Sequence, residues 1–243
     1  MHFVEPTIYL IGETRVNENS LQEYLKHIGA SDWKTDDTSE VEEIIEVMGR
    51  NCYKSFGTEL NPNITSTRKG NKAYIDNIIK VGHGSVLEHG FLNFMFCDVS
   101  RVFTHELVRH RPGVAISQES LRFVRVDDLG CWVPSAFRQT GAYNIFEEHW
   151  KRCERAYQIL LEGAAVYEGV AWDKLSFDKK KYYTSAARRV LPLGMATNIG
   201  WSCNIRSLRH IIEARTDRHA EEEIRFVFDK VARLVLSKYP NLF

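Results

Sequence analysis

The sequence predicts a mixed fold, α/β or α+β, with helices and strands interleaved along one chain. Three observations carry that expectation. The 243 residues are 44% hydrophobic and 26% charged, the profile of a globular protein with a real core. The last part of the chain repeats apolar residues at helical spacing, with Leu208, Ile211 and Ile212 on one face, then Ile224, Val227, Val231 and Leu234. Other runs have a different character: "FLNFMFCDV" (91–99) is rich in aromatics and reads as a strand buried on at least one face. No linker, internal repeat or low-complexity tract divides the chain, so residues 1–243 are read as a single domain.

The elements follow in order. "EVEEIIEVMGRNCYKS" (40–55) reads as a helix, with acids early and bases late as the helix dipole favours. "NKAYIDNIIKVGHGS" (71–85) reads as a second helix, ended by Gly82 and Gly84. After the strand at 91–99, "SRVFTHELVRH" (100–110) reads as a helix with Ser100 as its N-cap, stopped by Pro112-Gly113. "SLRFVRV" (120–126) alternates polar and apolar residues, the period of a half-buried strand. A long helix is expected over 142–170, and another over 178–193 until Pro192. "MATNIGWSCN" (195–204) is strand-like, and helices over 205–217 and 219–238 close the chain.

Charge and cysteine usage exclude several classes of function. Lys plus Arg and Asp plus Glu both number 32, so the formal net charge is zero. A general nucleic-acid binder carries a basic excess, so nucleic acid is not an expected partner and any anion site must be local. Cys52, Cys97, Cys131, Cys153 and Cys203 are scattered, odd in number and without a C-x-x-C pair, against a disulfide framework or a cysteine zinc site. The N-terminus has no signal-peptide pattern, and no run approaches the about 20 apolar residues of a membrane helix. A soluble, cytoplasmic protein is expected. The G-x-G-x-x-G, G-x-x-x-x-G-K-[ST] and G-x-S-x-G motifs are all missing, so a bound dinucleotide would not use a Rossmann turn.

Three clusters could carry chemistry. "VRHRPGVAISQESLRFVR" (108–125) sets Arg109, His110 and Arg111 side by side, then adds Ser117, Ser120 and Arg122 across a Pro-Gly break. Arginine forks bind phosphate oxygens two at a time, and serine hydroxyls complete such a cradle. The same residues could equally be a solvated basic helix end. "HGSVLEH" (83–89) offers His83, Glu88 and His89, with His105 and His110 following, but the spacing fits no zinc pattern and a structural reading is preferred. The stretch 185–225 carries Arg188, Arg189, Arg206, Arg209, Arg215 and Arg218 with His210 and His219. A charged outer helix face explains most of these, but Asn204, Arg206 and His210 fit it poorly, residues 206 and 210 lying one turn apart on one side.

Together these residues resemble the flavin-dependent thymidylate synthases, the ThyX family. "VMGRNCYKS", "GHGSVLEHGFLNF", "RHR…SQESLRF", "RRVLPL" and "NIRSLRHIIEAR.DRHAEEEI" occur in that family's order and at nearly its spacing, over most of the chain. Residues 15–38 look like an extension beyond the family core. The family motif places seven residues between RHR and its serine, whereas here seven residues lead to Glu119. Ser120 is aligned with the motif serine because "S-x-R-F" follows it, implying a one-residue insertion around Pro112–Ala115 with Ser117 as the fallback. Gln118 stands where relatives often carry Glu, Phe123 where many carry Tyr, and His210 where some carry Asn.

The resemblance implies a central, mostly antiparallel sheet flanked by helices, assembled as a homotetramer with active sites at subunit interfaces. It implies reductive methylation of dUMP to dTMP, with FAD as cofactor, 5,10-methylenetetrahydrofolate as carbon donor and NADPH as reductant. By position, Ser85, Arg109, His110, Arg111, Gln118, Asn204, Arg206 and His210 would serve the flavin. Glu106, Arg109, Gln118, Ser120, Arg122, Arg188 and Arg215 would surround dUMP, with Ser120, Arg122 and Arg188 nearest its phosphate. Arg215 would face the uracil edge and favour ionisation at N3, and Ser120 would position rather than attack, since no base partner for it is evident. Two other readings are a non-catalytic nucleotide or RNA binder, which neutral net charge weakens, and a metal-dependent hydrolase, which irregular histidine spacing weakens.

Overall fold

The computed structural model describes residues 2–36, 38–124 and 128–243. In chain order these form β1 (His2–Phe3), β2 (Thr7–Glu13), α1 (Glu18–His27), α2 (Glu40–Tyr53), α3 (Asn71–Lys80), β3 (Phe91–Ser100), α4 (Arg101–Leu107), β4 (Val114–Gln118) and β5 (Gly130–Cys131). Then come α5 (Ser135–Arg138), α6 (Tyr143–Glu168), α7 (Phe177–Ala187), β6 (Ala196–Asn204), α8 (Ile205–Thr216) and α9 (Glu222–Lys238). Short 3-10 turns lie at Gly84–His89, Trp172–Lys174 and Arg188–Val190.

The centre is a four-stranded antiparallel sheet of order β2-β3-β6-β4. Alternation along β3 and β6 turns Leu92, Phe94, Phe96, Ile199, Trp201 and Cys203 to one face, all buried. That face packs on α4, α8 and α9. Phe96 meets Phe103 edge-on at 5.4 Å, and Trp201 meets Phe228 edge-on at 6.1 Å. The opposite face is covered less within one chain, and Tyr9 and Ile11 of β2 are 53% and 67% exposed. A second apolar cluster joins α6 and α7 around Trp150, Tyr157 and Leu161, and a third joins α1 to α2 around Leu25, Val47 and Phe56.

Most expected elements form within a few residues of their expected bounds, and the differences have local causes. The helix expected over 71–85 stops at Lys80, because Gly82 takes φ +75° and the chain then tightens into the 3-10 turn. The helix expected over 100–110 stops at Leu107, leaving the basic triplet just beyond it. The strand expected over 120–126 does not form where it is described: Ser120 O accepts from the N–H groups of both Phe123 and Val124 at 2.9 Å, a turn, while residues 125 and 126 lie outside the described residues. The strand lies earlier, as β4, where "VAISQ" hydrogen-bonds to β6 from Val114↔Cys203 to Gln118↔Ile199. β2, which pairs with β3, was not expected from the sequence.

Candidate active site

The site is built where β4, α4 and α8 converge. Ser100 caps α4, its hydroxyl accepting from Phe103 N, and is itself held by Glu223 at the start of α9. α4 ends in a turn in which Arg109 N and His110 N donate to Glu106 O and Leu107 O. The chain then reverses at Pro112-Gly113. Gly113 takes φ +67°, and a Cβ there would sit 2.2 Å from Asn204 Nδ2, so both backbone sign and space require glycine. Asn204 N donates to Gly113 O at 2.9 Å, Ser207 Oγ donates to Pro112 O at 2.8 Å, and Asn204 Oδ1 caps α8 by accepting from Ser207 N at 2.8 Å. The segment in which the sequence implies an insertion is thus bolted to the N-terminus of α8.

A cavity of about 570 Å³ opens beside this joint, lined among others by Glu88, Arg109, His110, Asn204, Arg206 and His210. That size suits a small organic ligand. Arg206 pairs with Glu88 at 2.6 Å and runs along Gly84, where a Cβ would come 3.1 Å from its Nε. Beneath the cavity Arg215 holds two neighbours. Its Nη1 donates to Glu106 Oε2 at 2.7 Å, its Nη2 to Glu106 O at 3.1 Å, and its Nε to His110 Nε2 at 2.8 Å. A guanidinium has five N–H donors, so among the described residues two remain without a partner and can meet a ligand. His110 is half-buried, and that burial, with the nearby charges of Arg215 and His210, holds its pKa below the ordinary imidazole value despite Glu106.

A second group lies at the far end of β4. Gln118 donates from Nε2 to Thr104 Oγ1 at 3.3 Å, tying the strand to α4. Ser120 Oγ accepts from Arg122 N at 3.4 Å, in an exposed turn. Arg188 sits on the 3-10 turn after α7, exposed and close enough to Arg101 to lower its pKa, though burial of Arg101 lowers it more. Among the described residues, no carboxylate pairs with Arg122, Arg188 or Arg101. Among the described residues, Arg101 is held by one bond from Nη2 to Glu119 O at 3.2 Å, and its Nε is buried without a partner. Arg101 and Arg188 repel each other with Glu119 as the nearby carboxylate, and Arg122 is joined to α7 through its own carbonyl, which accepts from Thr184 Oγ1 at 3.1 Å; cations gathered without direct carboxylate pairing favour an anion there.

Of the residues singled out in the sequence, Arg109, His110, Asn204, Arg206 and His210 meet at one cavity, with Glu106 and Arg215 directly behind. Gln118, Ser120, Arg122 and Arg188 belong to the second group. Arg111 is exposed and Ser85 lies on the Gly84–His89 turn; neither lines the cavity. Ser117 pairs with Gly200 in the sheet, on the face opposite Gln118. His83 hydrogen-bonds Tyr53 at 3.3 Å and stacks on its ring, and Glu88 serves Arg206, so the "HGSVLEH" cluster disperses into separate contacts. The sequence reading missed Arg101, Thr104 and Glu223. A signal for Arg101 existed, because a cation in the first turn of a helix opposes the dipole and calls for another reason to be there.

The chain is similar to known proteins along most of its length. Residues 35–241 match the family described as thymidylate synthase complementing protein. A flavin-dependent thymidylate synthase of Mycobacteroides abscessus is 35% identical over 213 residues, covering 87% of this chain and 82% of that relative. One from Corynebacterium glutamicum is 34% identical over 213 residues, with the same coverage. Among solved structures, a UMP/dUMP methylase from Streptomyces cacaoi, bound with 5-Br UMP, superposes with a TM-score of 0.66 at 19% identity, over 99% of this chain and 93% of that one.

Proposed function

This chain belongs to the family of flavin-dependent thymidylate synthases and is an enzyme, and from that premise we propose that it reductively methylates dUMP to dTMP, with FAD as resident cofactor, 5,10-methylenetetrahydrofolate as carbon donor and NADPH as reductant. The observation that carries this reading is the presence of two sites toward opposite ends of β4, a cavity lined by His110, Asn204 and Arg206 and an arginine group around Arg122 and Arg188 that has no carboxylate partner among the described residues. A dinucleotide cofactor and a nucleotide monophosphate brought together need both.

The residues present fit a flavin cofactor. Arg109, Arg206 and Asn204 offer cation and amide donors to its phosphates and ring edges, with His110, Arg111, His210, Ser85 and Gln118 around them, partly from neighbouring subunits. When bound, the flavin supplies the two-electron transfer that turns a methylene-level carbon into a methyl group. The protein binds, orients and polarises. Arg122, Arg188 and Ser120 take the dUMP phosphate, and Arg101 adds a further cation to that group. Glu106 and Gln118 border the nucleotide, and Arg109 lies between the two ligands. The free N–H donors of Arg215 meet the uracil edge, where a fixed cation favours ionisation at N3. Ser120 positions and does not attack, since among the described residues no general base stands beside it.

The chain acts as one catalytic domain, residues 1–243, with 15–38 as an extension; the family match beginning at residue 35 supports that reading. We assign it a homotetramer in the cytoplasm. The exposed apolar residues of β2 support assembly through the open sheet face, and among the described residues no helix is long and apolar enough to cross a membrane.

The test is the visible absorbance of the purified protein, before and after dUMP, 5,10-methylenetetrahydrofolate and NADPH are added under low oxygen. A flavin spectrum that bleaches with NADPH, with dTMP formed, is expected. A colourless protein that takes up no added FAD would overturn the proposal.

A further inference from the structure

The contact between Arg215 and His110 fixes more than a distance. Arg215 Nε lies 2.8 Å from His110 Nε2. A guanidinium carries only donors and stays protonated in proteins. His110 Nε2 must therefore be the acceptor, and a neutral imidazole that accepts at Nε2 bears its proton on Nδ1. Neutrality has its own support in the surroundings. His110 is half-buried and faces Arg215 and His210 from α8, against Glu106 alone from α4, with Arg109 and Arg111 adjacent in the chain. Among the described residues nothing bonds to Nδ1, and His110 lines the cavity.

We infer that Arg215 is a positioning residue for His110: it locks the imidazole in the neutral Nδ1–H tautomer, so that His110 presents a hydrogen-bond donor to whatever fills the cavity. The lock uses one of the five N–H groups of Arg215, and Glu106 steadies the guanidinium through two more. It selects the tautomer that free histidine disfavours in water. The ligand atom that fits is an acceptor, a carbonyl oxygen or an unprotonated ring nitrogen. Assigning that atom to the flavin rests on the function proposed above; the tautomer itself does not.

Histidine-selective nitrogen labelling with long-range proton–nitrogen correlation NMR reads the tautomer directly, and His110→Gln identifies the signal among the nine histidines. Above neutral pH the unliganded protein should show His110 as Nδ1–H. An Nε2–H or doubly protonated ring would overturn the inference. Arg215→Met should release the ring to mainly Nε2–H while the other histidine signals stay in place, and an unchanged Nδ1–H pattern would remove Arg215 from the role. Should that variant not fold, the wild-type spectrum still decides the tautomer. Glu106→Gln, which leaves the Arg215–His110 contact, should then keep Nδ1–H, and its loss would overturn the lock. On adding FAD, the Nδ1 proton should shift. Bound FAD with that proton unmoved would overturn the donor role. Failure to bind FAD would count against the proposed function and leave the tautomer result standing.

Discussion

The two halves of the site are held in opposite ways. Around the cavity the polar side chains are largely paired within the protein: Arg206 with Glu88, Arg215 with Glu106 and His110, Asn204 with the N–H of Ser207. At the far end of β4, Arg122, Arg188 and Arg101 have no carboxylate partner among the described residues, and Ser120 rests on one long bond. The first half is preorganised and would meet its ligand with little rearrangement, which lowers the entropic cost of binding. The second is electrostatically incomplete and gains most from an anion. α4 belongs to both, with Arg101 at its start and Glu106 at its end.

The largest expected effect tests the preorganised half. Arg215→Ala should lower dTMP formation by at least about 10²–10³-fold, the scale of losing a fixed polar group at a developing charge, while FAD stays bound. Product analysis together with the flavin spectrum checks both; retained turnover would remove Arg215 from the uracil edge.

The anchor of α4 comes next. Burial pushes the Glu223 carboxyl up to about 7 from 4.5, even though the Ser100 N–H and hydroxyl bond to it. The folded chain then keeps a proton that the unfolded chain has released. Stability from this group is full below about pH 4.5 and is lost as pH rises toward about 7, a change on the order of 3 kcal/mol. Glu223→Gln, which keeps acceptor and donor for Ser100, should flatten that slope in denaturation midpoints measured across the range. A slope unchanged in the variant would place the titration on another group.

The incomplete half should respond in the reverse sense to the Glu223 anchor, in binding and not in stability. Arg122→Ala and Arg188→Ala should each weaken dUMP binding by about 10- to 100-fold, or about 1.4–2.7 kcal/mol, by calorimetry. Each should leave stability within about 0.5 kcal/mol, since neither arginine holds a carboxylate among the described residues. Binding should also weaken as salt is added. A variant that loses stability instead would show that these arginines are structural and erase the contrast between the halves.

The smallest effect concerns register. Ser120→Ala should lower activity a few-fold without abolishing it, as expected for one neutral hydrogen bond worth about 1 kcal/mol. A larger loss in Ser117→Ala would overturn the alignment of Ser120 with the motif serine, and the one-residue insertion with it.

The sequence alone determined most of the helices, α1 and α5 excepted, and the central strand. Their signals are local: the capping Ser100, the aromatic run of β3, and the apolar stripes of α8 and α9 are each complete within a few residues. It also marked most of the site, because Arg109, His110, Asn204, Arg206 and His210 are chemically conspicuous and stand in family motifs. β4 was not legible, since five residues after a Pro-Gly break become a strand only when β6 offers its hydrogen bonds. The alternation at 120–126 misled for the same reason: with no neighbouring strand described beside Ser120–Val124, the chain closed on itself in a turn. Tertiary structure alone decided the pairings over long separations, Arg215 with His110, Arg101 beside Arg188, and Ser100 with Glu223. Each depends on how helices cross the sheet, and a residue's own neighbours in sequence carry no record of that.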